Sequence, residues 1–282
     1  MAHRAVWIRG AALGLALSGL WIAHTQQAPP EPLDLQHVKG PLHALIGSGG
    51  NVSVLVTDEG VVLGDDKFDR NFTEIVAKVK TLSDKPIRFD LNTHHHGDHT
   101  GGNEQMLSQG TEVIAHENAR ANLVRGQQKG PQPLTFSEQL TVHAGGEEVR
   151  AIYFGRGHTN GDVVLYYPKL RAIHTGDLFV TGAPFIDYAN GGSAVEWDDT
   201  LNAVLQLEFD TVIPGHGAVS TRDDLVQWKE NFETYRERVS ELSRAGKSAE
   251  EAIAAVKVDD LKGWSKDNRL KNGMAGLLQE LR

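Results

Sequence analysis

The chain has 282 residues, 40% of them hydrophobic, enough for one large α/β domain or two small ones with a sizeable core. Its net charge of −9 is a poor match for a polyanion, so a nucleic-acid substrate is not expected. The absence of cysteine excludes disulfides, thiolate metal ligands and a lipid-modified cysteine anchor.

Residues 1–28 read as a leader. His3, Arg4 and Arg9 precede an uncharged apolar stretch over 10–23, short for a membrane span and suited to a signal sequence. We therefore expect a signal peptide, or an N-terminal anchor if it stays uncleaved, and a periplasmic or secreted protein. Pro29, Pro30 and Pro32 mark residues 29–39 as an extended linker. Strands are then expected over 42–47, 51–57 and 60–64, with a hairpin tip at 48–50. Phe72, Ile75, Val76 and Val79 share one face of an amphipathic helix over 68–81. A strand over 87–92, a helix over 103–108, a strand over 111–115 and a helix over 117–125 follow. Residues 126–137 read as a loop. Strands are expected over 139–143, 148–154, 163–167 and 171–175, then a helix over 195–208 and a last strand over 211–213. The remainder, 221–282, is helical and charged, with helices over 225–242, 249–255 and 272–281.

Chemistry concentrates where apolar runs end. The segment Thr93-His-His-His-Gly-Asp-His99 contains H-x-H-x-D-H, placing His94, His96, Asp98 and His99 at a strand end before a glycine-rich turn. Imidazole nitrogen and carboxylate oxygen are ligands that zinc takes. Three later runs end similarly, in the Gly-flanked loop with His158, in Thr175-Gly-Asp177, and in Pro214-Gly-His216-Gly. An earlier run ends in Asp65. Strand ends and their loops are where clefts form.

Together these landmarks, in this order, resemble the metallo-β-lactamase superfamily over about residues 40–220, here the catalytic domain, with 221–282 as a helical extension packed on it. The resemblance implies a four-layer αββα fold with a helical C-terminal tail. It also implies that His94, His96 and His158 hold one zinc ion, that Asp98, His99 and His216 hold a second, and that Asp177 bridges them. The cofactor is then two Zn²⁺ per chain, with iron or manganese as alternatives. Asp98 would orient the nucleophile as well as bind metal, making it the catalytic residue, and Asp65 would orient a ligand without binding metal itself. A cysteine stands at the place of Asp177 in one lactamase branch, so this pattern is more similar to the glyoxalase II and lactonase branches and to atypical lactamase relatives.

The implied activity is hydrolysis of an ester, thioester, lactone or amide bond of a small molecule by a metal-bridging hydroxide. The alternatives are a β-lactam hydrolase, a single-iron dioxygenase and a non-catalytic zinc-binding protein. A membrane partner enters only through an uncleaved leader. The other histidines have plainer readings: His95 should point away from the metals, His174 should be packed, and His116 should cap or rim a helix. No substrate-binding residue is assigned. Of Phe179, Phe185 and Tyr188, one is expected against substrate and two in the core, and Arg156 beside His158 is a possible grip for a carboxylate.

Overall fold

The computed structural model describes residues 32–282; the expected leader lies outside them. The first sheet takes its strands in chain order: β1 (Asp34–Lys39), β2 (Leu42–Ile46), β3 (Val52–Thr57), β4 (Gly60–Gly64), β5 (Ile87–Leu91), β6 (Glu112–His116) and β7 (Leu134–Phe136). Strands β1 to β4 pair antiparallel and β4 to β7 parallel. The parallel crossovers carry α1 (Phe72–Lys80), α2 (Gly97–Thr100), α3 (Asn103–Ser108) and α4 (Glu117–Arg125). The second sheet holds β8 (Gln139–Ala144), β9 (Glu147–Tyr153), β10 (Val163–Tyr167), β11 (Ala172–His174), β12 (Thr211–Ile213) and β13 (Ser220–Thr221), of which only β11 and β12 run parallel. Helix α5 (Ala194–Val204) joins β11 to β12, and α6 (Arg222–Arg244), α7 (Ala249–Ala255) and α8 (Asn268–Glu280) close the chain.

Alternation of side chains along the strands builds the layers. Val61 and Leu63 of β4 pack toward Ile75 and Val79 of α1, while Val62 between them faces the other sheet. On β10, Val163, Leu165 and Tyr167 fill the space between the sheets, and Val164 and Tyr166 face the outer helices. The order is helix, sheet, sheet, helix, as expected. The outer layer of the second sheet is largely Trp197 and Leu201 of α5 with Leu225, Trp228 and Phe232 of α6 and Leu270 and Met274 of α8. The C-terminal helices thus complete a core layer. Among the described residues, no helix is long and apolar enough to cross a membrane.

Several expected boundaries need correction. The linker expected over 29–39 includes β1, which pairs with β2 along Asp34–Lys39. Its residues are half-buried or exposed on both faces, as suits an edge strand, so it lacks the alternation that marks the others. The loop over 126–137 contains β7, an edge strand of three residues and too short to show a period. Helix α5 ends at Val204 rather than 208. Helix α6 starts early because Thr221 and Asp224 form a reciprocal cap. Helix α8 starts at Asn268 rather than 272, capped by the Asp267 carboxylate accepting from the backbone N–H of Arg269 and Leu270.

Candidate metal centre

The side chains singled out from the sequence lie at one rim of the two sheets. His94 and His96 follow the end of β5, and Asp98 and His99 lie on α2; Asp65 follows β4. His158 lies between β9 and β10, Asp177 follows β11 and His216 follows β12. Parallel strands send their C-terminal ends to one edge, so these loops meet there. Cross-links hold the rims together: Val163 N–H donates to Thr93 O (2.7 Å), Gly50 N–H to Asp98 O (2.9 Å) and Asn51 N–H to Gly215 O (2.7 Å).

Two groups of donors result. His96 Nδ1 lies 3.1 Å from His94 Nε2 and 2.9 Å from His158 Nε2. His216 Nε2 lies 3.4 Å from His99 Nε2 and 3.3 Å from Asp98 Oδ2. The Asp177 carboxylate stands between the groups, with Oδ1 3.3 Å from both His99 Nε2 and His216 Nε2, and Oδ2 3.6 Å from His158 Nε2. Glycine makes this approach possible. A Cβ on Gly215 would lie 2.1 Å from Asp177 Oδ1, and one on Gly50 2.2 Å from the His99 ring.

The outer nitrogen of four of these five imidazoles has a fixed partner. His94 Nδ1 donates to Thr93 Oγ1 (3.1 Å), and His96 Nε2 donates to Asp187 Oδ2 (2.9 Å). His158 Nδ1 donates to Phe185 O (2.7 Å), and His99 Nδ1 donates to Asp65 Oδ2 (2.7 Å). A ring that donates outward turns its other nitrogen inward, so these partners aim the inner nitrogens at one space. Burial, reinforced by neighbouring His99, His158 and His96, holds the pKa of His94 well below its ordinary value. Burial outweighs Asp177 at His158 and takes it down to about 4, so both rings are neutral donors. His99 differs: burial opposes its charge, but Asp177, Asp65 and Asp98 outweigh burial and hold its pKa well above the ordinary value. It would exchange a proton for a bound cation. At Asp177 burial pushes upward, yet His216 and His99 pull its pKa well below the carboxylate range, so it is an anion. Converging neutral nitrogens around buried carboxylates are what a divalent cation requires.

Asp65 accepts from Thr93 N–H (2.7 Å) and Thr93 Oγ1 (2.8 Å) as well as from His99. His174 is buried, 3.1 Å from Ser53 Oγ. His116 caps α4 and stacks on Tyr153 at 4.1 Å. His95 sits outside the two groups, its Nε2 3.9 Å from Asp187 Oδ2. Phe185 faces the cleft, whereas Phe179 is in the core and Tyr188 packs against Gly276 of α8. Arg156 pairs with Glu196 on α5 (2.7 Å) and is not among the residues that line the cleft. Asp187 carried no signal in the sequence. It lies in an irregular loop and meets His96 across 91 residues of chain.

Residues 45–216, more than half of the chain, match the family model of the metallo-beta-lactamase superfamily. The chain belongs to that superfamily. It is 29% identical over 178 residues to a type 2 metallo-beta-lactamase of Bacillus cereus, covering 61% of this chain and 68% of that one. A type 2 metallo-beta-lactamase of Elizabethkingia meningoseptica is 28% identical over 228 residues, 77% of this chain and 89% of that protein. The alpha subunit of a 2,4-dinitroanisole O-demethylase from Nocardioides is 30% identical over 135 residues; the match spans 47% of this chain but only 41% of that subunit. Among solved structures, a metallo-beta-lactamase from Pontibacter korlensis superposes with a TM-score of 0.66 at 22% identity, over 71% of this chain and 99% of that one. At that identity the likeness establishes the fold. Residues 217–282 lie outside the matched family model.

Proposed function

We propose that this protein is a metallohydrolase that holds two divalent ions, zinc foremost, and cleaves an ester, thioester, lactone or amide bond of a small molecule. The observation that carries this reading is the Asp177 carboxylate, whose two oxygens face the two donor groups separately. In it, His94, His96 and His158 would hold one ion and Asp98, His99 and His216 the other, with the Asp177 carboxylate available to both groups. When bound, such a pair supplies an activated water nucleophile near neutral pH and Lewis acidity toward a carbonyl.

The chain's own residues do the positioning. Asp98 is a quarter exposed and stands at the cleft, where an oxygen not engaged by metal can accept a proton from water and orient it. Asp187 fixes the His96 ring, Asp65 the His99 ring, and the Phe185 carbonyl the His158 ring. The Phe185 ring stacks beside His96 at 6.2 Å and, with Val180, keeps one side of the cleft apolar. The cavity, of about 340 Å³, suits a small molecule.

β-Lactam hydrolysis is the second reading, favoured by the names of the relatives. Against it, Leu178–Thr181, which follows Asp177, contains no basic residue. The leader places the enzyme in the periplasm or outside the cell in this reading. The deciding experiment is elemental analysis of protein purified without added metal, followed by a panel of lactam, lactone, thioester and phosphodiester substrates. We expect two zinc ions per chain and turnover of a carboxylic-acid derivative. One ion per chain with full activity would sink the two-ion reading.

A further inference from the structure

Among the described residues, eight line the cleft, and of these Arg269 is the one basic side chain other than histidine. It comes from the first turn of α8, outside the residues that match the family model. Two features set it apart from a local ion-pair partner. A cation in the first turn opposes the helix dipole, so helix stability does not explain its position. The loop opposite also leaves room for it: a Cβ on Gly182 would come within 2.9 Å of Arg269 Nη2.

The guanidinium is held in place. Asp267 Oδ1 accepts from the backbone N–H of Arg269 (2.9 Å) and of Leu270 (3.4 Å), while Asp267 Oδ2 accepts from Arg269 Nε (2.8 Å) and lies 2.8 Å from Nη2. One carboxylate thus caps the helix and fixes the fork. Arginine has five N–H donors, so three remain after these two contacts. A planar fork with free donors pairs best with a carboxylate. Apart from Arg269 and the donor groups, the lining of the cleft is the apolar Val180 and Phe185.

Resting on the hydrolase reading, we propose that Arg269 is the substrate's anion anchor, and that the enzyme takes small acyl compounds carrying a carboxylate a few apolar atoms from the scissile carbonyl. The C-terminal extension then sets specificity for a centre built by the rest of the chain.

The test compares two esters of equal spacing, mono(4-nitrophenyl) glutarate and 4-nitrophenyl butyrate, on the zinc-loaded full chain. We expect kcat/KM to favour the glutarate ester by about tenfold or more, the gain of a hydrogen-bonded charge pair, and chiefly through KM. In Arg269→Gln that ratio should collapse toward one, and Arg269→Lys should restore part of it. An unchanged ratio in Arg269→Gln overturns the proposal. Calorimetric binding of glutarate against butyrate gives the same ratio without turnover. If neither ester is cleaved, the hydrolase reading is decided by the substrate panel above, and the calorimetric ratio alone decides the role of Arg269. Thermal melting of both variants confirms that they fold.

Discussion

Beneath His94 to His99 the first sheet is polar to its interior. Asp65, Asp66, Asp90, Asn92 and Asn103 are all essentially inaccessible, and Asn103 Nδ2 and Gln132 Nε2 both donate to Asn92 Oδ1. Beneath His158, Asp177 and His216 the second sheet is apolar and aromatic. Trp197 lies 6.3 Å from the His158 ring, donates its Nε1–H to Leu178 O (3.2 Å), and packs on Trp228 and Phe232. The difference follows the sequence. The first half crowds four donors into one short segment, and directional hydrogen bonds must fix each ring. The second half places one donor at each of three loops, and packing of the outer helices fixes the loops. Substitutions in the floor beneath the first half should therefore act through ring orientation and charge, and those in the floor beneath the second through packing.

The largest expected effect is on the crowded half. His96→Ala removes the nitrogen shared by the closest contacts of the first donor group, and turnover should fall by several orders of magnitude while the fold persists. Circular dichroism and metal analysis check both parts. Near-normal activity would break the assignment of His96 and, with it, the contrast between the halves.

Next is Asp177→Asn, which keeps the shape of the side chain but removes its charge. Repulsion between two ions would be less screened, so metal content should fall toward one per chain and excess zinc should restore part of the rate. Unchanged metal content and rate would show that Asp177 lies outside the ligand set.

The aromatic foundation is tested by Trp197→Ala. Trp197 is fully buried, so truncation should cost roughly 3–5 kcal/mol of stability, read as a lowered unfolding midpoint in urea. A smaller loss, with metal content halved instead, would mean that this half too is held by specific contacts rather than packing.

How much of this was legible follows the same division. The first half's donors could be read because they sit in one motif, and Asp65 because it ends a strand at the same rim. The four layers followed from the resemblance and from two groups of strands interleaved with helices, because strands such as β4 and β10 are continuous apolar runs that show no alternation in the sequence. Asp187 and Arg269 could not be read, because each acquires meaning only through a contact that crosses the fold. Asp187 approaches His96 because its loop lies over α8, where Glu280 accepts from Tyr188 Oη (2.7 Å) and Ser193 Oγ (2.5 Å). β1 and β7 were missed because edge strands are short or exposed on both faces and carry little pattern. The rest of the buried polar floor had no periodic signature either: acids at 66 and 90 look like surface residues until the topology encloses them.

That floor carries the smallest prediction. Burial raises the Asp90 pKa from the ordinary 3.8 to about 7; Asp65 adds repulsion, and a hydrogen bond with Asp66 works in the opposite direction. Asp66 is likewise raised, by burial and then by the charge of Asp90. An acid raised in the folded state binds protons there that the unfolded chain has already released. Stability from Asp90 is therefore complete below its ordinary pKa and is lost as pH climbs through about 7. Asp90→Asn removes this titration and, with it, the repulsion from Asp90 that helps to raise Asp66. The absolute effect of the amide depends on its own hydrogen bonds, so the informative quantity is the difference in melting temperature between variant and parent. That difference should shift in the variant's favour by roughly 2–8 °C between about pH 4 and about pH 8. Subtracting the parent at each pH cancels the titration of the histidines and the loss of metal in acid. No comparable shift is expected for Trp197→Ala, whose surroundings titrate little. A constant difference for Asp90→Asn would mean that Asp90 is ionised in the folded protein, and that the first half is held by a network of charges rather than by one that keeps a proton.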